Sequence, residues 1–525
     1  TTMINRSRMR DVGDTRSDYE ELDSAIASGL YLKDVMNRQG EDFYYMHTII
    51  EVTAEDPETP EQRVTAVEQL CVSVDMIARR CDYKQEQAFL STLPVLALDP
   101  DIERKSRRNA LTSGVAASFP FASYELSDKN GVFLGINMYN KTPVFLDPYD
   151  DYKYTNGNWW IGGSSGAGKT FTLLTLSGRL RQQGKRVIVI APKKGHGFRP
   201  LCEKLGGLYL RMSPSSKDCP NLMAIRRASL DSYAHLKNLT ARDDSVLADK
   251  ISRLIIWFSL KKRDLSEEDK SRLDSSLVEC YQRYGIDFDN RSLLDADGNF
   301  KEMPILADWY DVLQRDPETR HLAVVLARYV TGSAAAMGGR NNVLLDNKFI
   351  VLDISGLSDD MIADGTFWAT DVAYDLIMNA GTELSALLAD ELWSLVGASS
   401  NPQAAGFVLE MVKTIRGLGG IAVTSTQGMQ DLFGLEGGKY GKGILDSSRI
   451  KLIMQMEEQE ARLIQNALNL SEDEVRQITR FRRGEGLLCI GYNHVPIAFH
   501  ASQQEYDIIT TSPTDLHRRA KEESV

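Results

Sequence analysis

Gly163, Ser164, Ser165, Gly166, Ala167, Gly168, Lys169 and Thr170 satisfy the pattern G-x-x-x-x-G-K-[ST] in full. In that pattern the glycines let backbone N–H groups converge on the β- and γ-phosphates of a nucleotide. Lys169 supplies a point charge there, and the Thr170 hydroxyl is a ligand for Mg²⁺. The plain alternative is a glycine-rich turn that carries a lysine by chance. Two flanks argue against it: "NWWI" (158–161) reads as a strand end, and Thr170 to Leu174 open a helical pattern whose positive dipole end adds to the anion site.

Binding phosphate is not yet hydrolysing it; hydrolysis needs a carboxylate for the metal and a base for water. "LSALLADELW" (384–393) offers both, because an apolar strand ends in Asp390 and Glu391. Asp390 is placed to hold Mg²⁺ through its water shell, and Glu391 to orient or deprotonate the attacking water. A third element, "TIRGLGGIAVTSTQ" (414–427), is a Thr-rich strand ending at Gln427, an amide suited to sensing the γ-phosphate. Arg416 lies just before that strand and is expected to reach the phosphates of its own subunit; a surface arginine and a solvent-facing strand end are the bland readings of these two.

The elements that must position these groups follow from the apolar pattern. "RVIVIA" (186–191), "FIVLDIS" (349–355), "ALLADE" (386–391), "GIAVTST" (420–426) and "RIKLIMQ" (449–455) read as strands separated by helices, the signature of a mostly parallel sheet covered on both faces. Residues 228–335 interrupt this series with helical periodicity and capping signals such as Ser266 before "EEDKSRL", and are expected to form an all-helical insertion subdomain. Upstream, "FYYMHTIIEV" (43–52) reads as a strand and "TPEQRVTAVEQLCVSVDMIARR" (59–80) as an amphipathic helix. The predicted organisation is an α+β domain over 1–150, a turn-rich junction at 147–158, and an α/β domain over 151–227 and 336–525.

Bulk properties narrow the class. The 525 residues carry a net charge of −12, which argues against whole-surface affinity for nucleic acid and leaves a local basic groove open. Six scattered cysteines form no CxxC pair and have no histidine at metal-ligand spacing, so reduced thiols are expected. No run approaches the ~18 apolar residues of a membrane span, and the first residues do not read as a secretory signal. A cytoplasmic protein is expected, with any membrane association made through partners.

Phosphate loop, Asp-Glu at a strand end and a Thr-rich strand ending in Gln together resemble the additional-strand P-loop ATPases of the HerA/FtsK type. "EQAFLSTLPV" (86–95), "SFPFASYELSDKNGVFLGINMYNKTPVFLD" (118–147), "GLYLRMSPSSKDCPNL" (207–222), "LLDNKFIVLDISGL" (344–357) and "TSTQGMQDL" (424–432) look like the type IV secretion and conjugative-transfer ATPases of the CagE/TrbE/VirB family. The resemblance implies a RecA-like ATPase domain with a helical insertion, preceded by a partial α+β domain that has lost its beginning. It further implies the cofactors ATP and Mg²⁺, bound by residues 163–170 and Phe171, and a place at the cytoplasmic face of the bacterial inner membrane among channel subunits. Hexameric rings are implied, with the isolated chain as monomer or dimer; DNA binding is not favoured.

Ring ATPases of this kind complete the site with an arginine from the neighbouring subunit, and Arg449, Arg482 and Arg483 are the candidates. One departure from the family stands out. Its members usually end the strand after the phosphate loop in an acidic residue, whereas this chain has Ala191 and Pro192 there. Two other readings stay open: a DNA-translocating motor of the HerA/FtsK kind, and a nucleotide-gated scaffold that barely turns over.

Overall fold

The computed structural model describes residues 16–38, 41–54, 60–73, 76–94, 97–118, 124–192, 195–216, 218–226, 245–262, 264–340, 343–378, 383–391, 401–426, 428–429 and 433–510. These residues fall into two compact units, Thr1–Ala122 and Ser123–Val525. The first contains helices α1 (Arg16–Arg38), α2 (Pro60–Ser73), α3 (Gln85–Thr92), α4 (Pro100–Ser106) and α5 (Thr112–Ala117), and an antiparallel ribbon of β1 (Phe43–Met46) and β2 (Arg108–Leu111). It is α+β, as the strand and helix patterns predict. Its strand is shorter than expected, because 47–52 find no ladder partner among the described residues.

The second unit is built on one large sheet. Its strands are β3 (Val132–Asn137), β4 (Pro143–Leu146), β5 (Trp159–Gly162), β6 (Arg186–Ala191), β7 (Leu208–Arg211), β8 (Phe349–Asp353), β9 (Ser385–Ala389), β10 (Gly420–Thr426), β11 (Ile450–Met454), β12 (Glu485–Ile490) and β13 (Asn493–Phe499). The order is β4-β3-β13-β12-β11-β5-β10-β9-β6-β8-β7. From β11 to β7 every pairing is parallel; from β12 to β4 every pairing is antiparallel. Period-two alternation divides the core into two layers. Ile188 and Ile190 of β6, Leu387 of β9 and Ala422 of β10 face one layer; Val187, Val189, Ala386, Leu388, Ile421 and Val423 face the other. Burial on both faces is why these strands are almost unbroken apolar runs.

The junction expected near 150 moves upstream to 122/123. Residues 132–146 are not part of the N-terminal unit: β3 pairs with β13 through Ile497↔Asn137 and carries β4 as the sheet edge. Their partner lies some 360 positions downstream, a relation that local pattern does not carry. The turn-rich segment 147–158 is an internal loop of the sheet domain.

The interruption is helical, with α8 (Val246–Lys261), α9 (Glu267–Gln282), α10 (Leu306–Arg315) and α11 (Arg320–Val330) among its described residues. Ser266 and Asp269 close a reciprocal capping box at the start of α9, so the capping signal is real. A core of its own is not what holds these helices. Trp257, Phe258, Trp309 and Tyr329 belong to the same apolar layer as the strands, and Trp257 and Tyr329 meet Trp368 of α12 (Asp359–Met378) at 6.1 and 6.3 Å. A buried ion cluster adds to the seam: Lys250 Nζ lies 2.6 Å from Asp371, and Arg253 lies 2.9 Å from both Asp371 and Asp375. Burial pushes the Lys250 ammonium below its ordinary range, which the two carboxylates oppose.

The remaining helices cover the sheet: α6 (Lys169–Gln182), α7 (Arg199–Lys204), α13 (Pro402–Thr414), α14 (Lys439–Asp446), α15 (Glu458–Leu468), α16 (Glu472–Arg480) and α17 (Gln503–Ile509).

Candidate nucleotide site

β5 is the strand that feeds the loop, and α6 the helix that leaves it. Gly166 and Gly168 take φ of +89° and +113°, a region closed to most side chains, so the reversal at the loop tip requires glycine there. Gly168 is the N-cap of α6 and no side chain caps the first turn. The orphan N–H groups of that turn are therefore directed to the loop interior, where the helix dipole is positive. Lys169 is buried at 5% exposure, with Nζ donating to the Gly163 carbonyl at 2.5 Å and the Ser164 carbonyl at 3.0 Å. The loop is braced from outside as well. The Ser164 N–H donates to the Gln455 carbonyl at 2.8 Å, and the Ser164 hydroxyl to Glu460 at 3.3 Å. Ser165 and Gly166 are exposed at the tip, and the Phe171 ring packs 5.9 Å from that of Tyr506 on α17.

The acidic pair comes to the same rim. β10 sits between β5 and β9, in register Thr426↔Gly162 on one side and Thr424↔Ala389 on the other. One strand thus separates the phosphate loop from the strand that ends in Asp390. Thr170 Oγ1 stands 3.5 Å from Asp390 Oδ2, and the Ser425 hydroxyl donates to Asp390 Oδ1. Asp390 and Glu391 are 8% and 3% exposed. Glu391 has φ of +51°, a conformation that costs an ordinary residue of order 1 kcal/mol and clusters at functional sites. Its backbone N–H donates to Ser425 Oγ at 3.4 Å. Ser425 was not foreseen from sequence, where the hydroxyls of "TST" read only as a strand leading to Gln427. Register alone reveals it, because Thr424 opposite Ala389 puts Ser425 beside Asp390.

Gln427 lies outside the described residues. Arg416 is not brought to the phosphate loop. It precedes β10, whose seven residues at ~3.3 Å each put it roughly 20 Å from the rim where Thr426 meets Gly162. There its guanidinium donates to the Thr155 carbonyl and pairs with Asp151 at 3.1 Å. The expectation that it serves the phosphates of its own subunit is corrected by strand direction: a residue before a parallel strand stands at the rim opposite the loops that follow such strands. Arg449 shares that far rim, one residue before β11, where Ile450 pairs with Trp159. Arg482 and Arg483 stand at the near rim, because β12 runs antiparallel to β11 and begins where β11 ends, with Gly486 opposite Met454.

The strand that lacks an acid has one beside it. Ala191 at the end of β6 is in register with Asp353 of β8, a buried carboxylate that accepts the Tyr209 hydroxyl and the Ser355 N–H. Asp353 also lies so close to Gly195 that any side chain there would collide with it. This carboxylate ties β7 to the turn after β8 and lies against Gly195. Among the described residues no group of three or more His, Cys, Asp or Glu side chains could hold a metal ion unaided. The hydroxyl of Thr170 and the carboxylate of Asp390 nevertheless form a hard oxygen pair of the kind Mg²⁺ takes alongside phosphate oxygens and water.

A glycine-rich loop between a strand and a helix, with an acid-ending strand one position removed across an inserted strand, defines a P-loop nucleotide-binding domain of the α/β class. No family model matches the chain. VirB4 of Thermoanaerobacter pseudethanolicus is similar in structure, with a TM-score of 0.63 and 29% identity, over 73% of this chain and 99% of that one. Protein TraC of Escherichia coli (strain K12) is 22% identical over 317 residues, which are 58% of this chain and 33% of TraC. A more distant likeness is to the bacterial conjugative coupling protein TrwB, at 12% identity and a TM-score of 0.45, over 72% of this chain and 90% of that one. The chain is homologous to TraC and, in structure, to VirB4. It matches about a third of the length of TraC.

Proposed function

We propose that the chain is a Mg²⁺-dependent ATPase motor that energises assembly of, or substrate transport through, a bacterial type IV secretion system. The observation that carries this reading is the meeting of Thr170 and Asp390, 3.5 Å apart, at the mouth of an uncapped phosphate loop. The likeness to VirB4 supports the setting.

In this reading the N–H groups of residues 163–170 and the Lys169 ammonium hold the β- and γ-phosphates. Thr170 and Asp390, the latter through water, would hold Mg²⁺, which when bound neutralises charge on those phosphate oxygens. Glu391 orients or deprotonates the attacking water, from a buried position that keeps its carboxylate away from bulk solvent. Gln427 is assigned the sensing of the γ-phosphate. The partners are inner-membrane and channel subunits and further copies of this chain in a hexameric ring. The place of action is the cytoplasmic face of the inner membrane; no helix among the described residues is long and apolar enough to cross it.

The test is ATPase rate against protein concentration, with and without single-stranded DNA. A rate per subunit that rises as rings form and ignores DNA supports the reading. Activation by DNA in dilute solution would instead favour a motor acting directly on the transferred strand.

A further inference from the structure

We infer that the turn Arg482–Gly484 is a cationic clasp on the nucleotide of its own subunit, with Arg482 and Arg483 binding phosphate in cis. The inference deepens the proposed function and rests on the reading of residues 163–170 as a nucleotide site. Sequence offered the same arginines as donors to a neighbouring subunit, and their position in the fold turns that around.

Three observations carry it. First, the turn touches the phosphate loop directly: the Gly484 N–H donates to the Ala167 carbonyl at 2.9 Å, and a Cβ on Gly168 would stand 3.2 Å from the Gly484 nitrogen. Gly484 and Gly168 have positive φ, +84° and +113°, a conformation that side chains disfavour, and at Gly168 a side chain would also be crowded by the Gly484 backbone.

Second, the turn is held in place. The Gly484 carbonyl accepts the Phe499 N–H at 2.8 Å, and the Glu485 carboxylate accepts the Arg482 N–H at 2.8 Å while the Glu485 N–H returns to the Arg482 carbonyl at 3.0 Å. These bonds fix the backbone from which both arginine side chains leave.

Third, the two guanidinium groups are uncommitted. Both arginines are exposed, and among the described residues neither side chain has a hydrogen bond or an ion pair. Neighbouring arginines on α15 and α16 are paired, Arg462 with Glu458 at 2.8 Å and Arg476 with Asp473 at 3.3 Å. Two unpaired cations carried on a held turn beside a loop whose own N–H groups point inward raise the positive potential there, and the planar guanidinium fork suits phosphate oxygens.

The experiment uses the full chain with both arginines changed, Arg482→Ala and Arg483→Ala. Binding of ATP and of inorganic tripolyphosphate is measured at dilutions where sedimentation shows a monomer. The variant should bind both about tenfold more weakly, with thermal melting unchanged, and Gly484→Ala, which strains the turn at its positive φ, should reproduce the loss. The double variant is then mixed with Lys169→Ala subunits under ring-forming conditions. In cis, no subunit has a complete site and turnover stays low. Recovery of turnover on mixing, or unchanged monomer affinity, would overturn the inference. If the wild-type chain binds neither probe, the nucleotide reading itself falls, a different result from a wild-type chain that binds and a variant that binds equally well.

Discussion

The Ser425 hydroxyl donates to Asp390 Oδ1 across the line between β10 and β9, and Ser425 Oγ itself accepts the backbone N–H of Glu391 at 3.4 Å. One small side chain therefore orients the proposed metal carboxylate and anchors the peptide that carries the proposed base. Both acids are buried, so losing the donor leaves a carboxylate oxygen short of a partner, at a cost of about 1–3 kcal/mol. Ser425→Ala should lower thermal stability and reduce turnover by roughly 10- to 100-fold, the usual effect of removing a group that orients a metal ligand. Ser425→Thr keeps the hydroxyl and should recover most of the rate. Steady-state turnover and melting temperature, measured on both variants, check this.

The roles of Lys169 and Glu391 separate binding from chemistry. Lys169 is the buried cation inside the loop, so Lys169→Ala should abolish nucleotide binding. Glu391→Gln keeps volume and hydrogen-bonding capacity but not basicity; it should bind ATP as wild type does and lose turnover by at least 100-fold, the upper part of the general-base range of roughly 10²–10⁴. Calorimetric binding and single-turnover kinetics distinguish the two. A glutamine variant that hydrolyses at the wild-type rate refutes the assignment.

What sequence made legible, and what it hid, follows from range. The loop, the acid-ending strand and the helical texture of 246–330 are local signals: a turn needs glycine, a buried parallel strand needs an unbroken apolar run, and the capping box of α9 needs only Ser266 and Asp269. Ser425 beside Asp390, Asp353 beside Ala191 and β3 beside β13 depend on which strands become neighbours, and no window of the chain contains that fact. The displacement of Arg416 is different in kind. Strand direction was available from the parallel pattern, and it places a residue preceding β10 at the far rim.

The helix behind the phosphate loop has a pH-sensitive anchor. Arg179 of α6 pairs with Glu505 of α17 at 2.7 Å and donates also to the His500 carbonyl. The Arg179 guanidinium, helped by the Ser502 backbone N–H, holds the Glu505 carboxyl down at about 2 from its ordinary 4.5, against a smaller opposing effect of burial. A carboxyl depressed in the folded state gives stability that is present in full above about 4.5 and is lost as pH falls toward about 2. Glu505→Gln should be less stable than wild type at pH 7, with the difference shrinking across that window. Thermal melts of both proteins from pH 7 to pH 2 test the sign. A gap that widens on acidification contradicts it.

Arg416 and Arg449 stand at the rim opposite their own phosphate loop. In a head-to-tail ring each subunit presents one surface to the complementary surface of the next, so a group at the far rim is available to a neighbour's site. An arginine supplied in trans is worth roughly 10³–10⁵ in rate. Arg416→Ala should leave monomer affinity for ATP unchanged, since its present partners are Asp151 and the Thr155 carbonyl. The lost exposed pair should cost no more than about 1 kcal/mol of stability. For Arg416→Ala, Arg449→Ala or both, turnover in assembled rings should fall, and mixing the affected variant with Lys169→Ala subunits should restore part of it, because some interfaces then combine an intact loop with an intact arginine. That is the opposite of the result expected for Arg482 and Arg483. Loss of monomer affinity in Arg416→Ala, or failure of every such mixture to recover, would show that the far-rim arginines serve no neighbouring site.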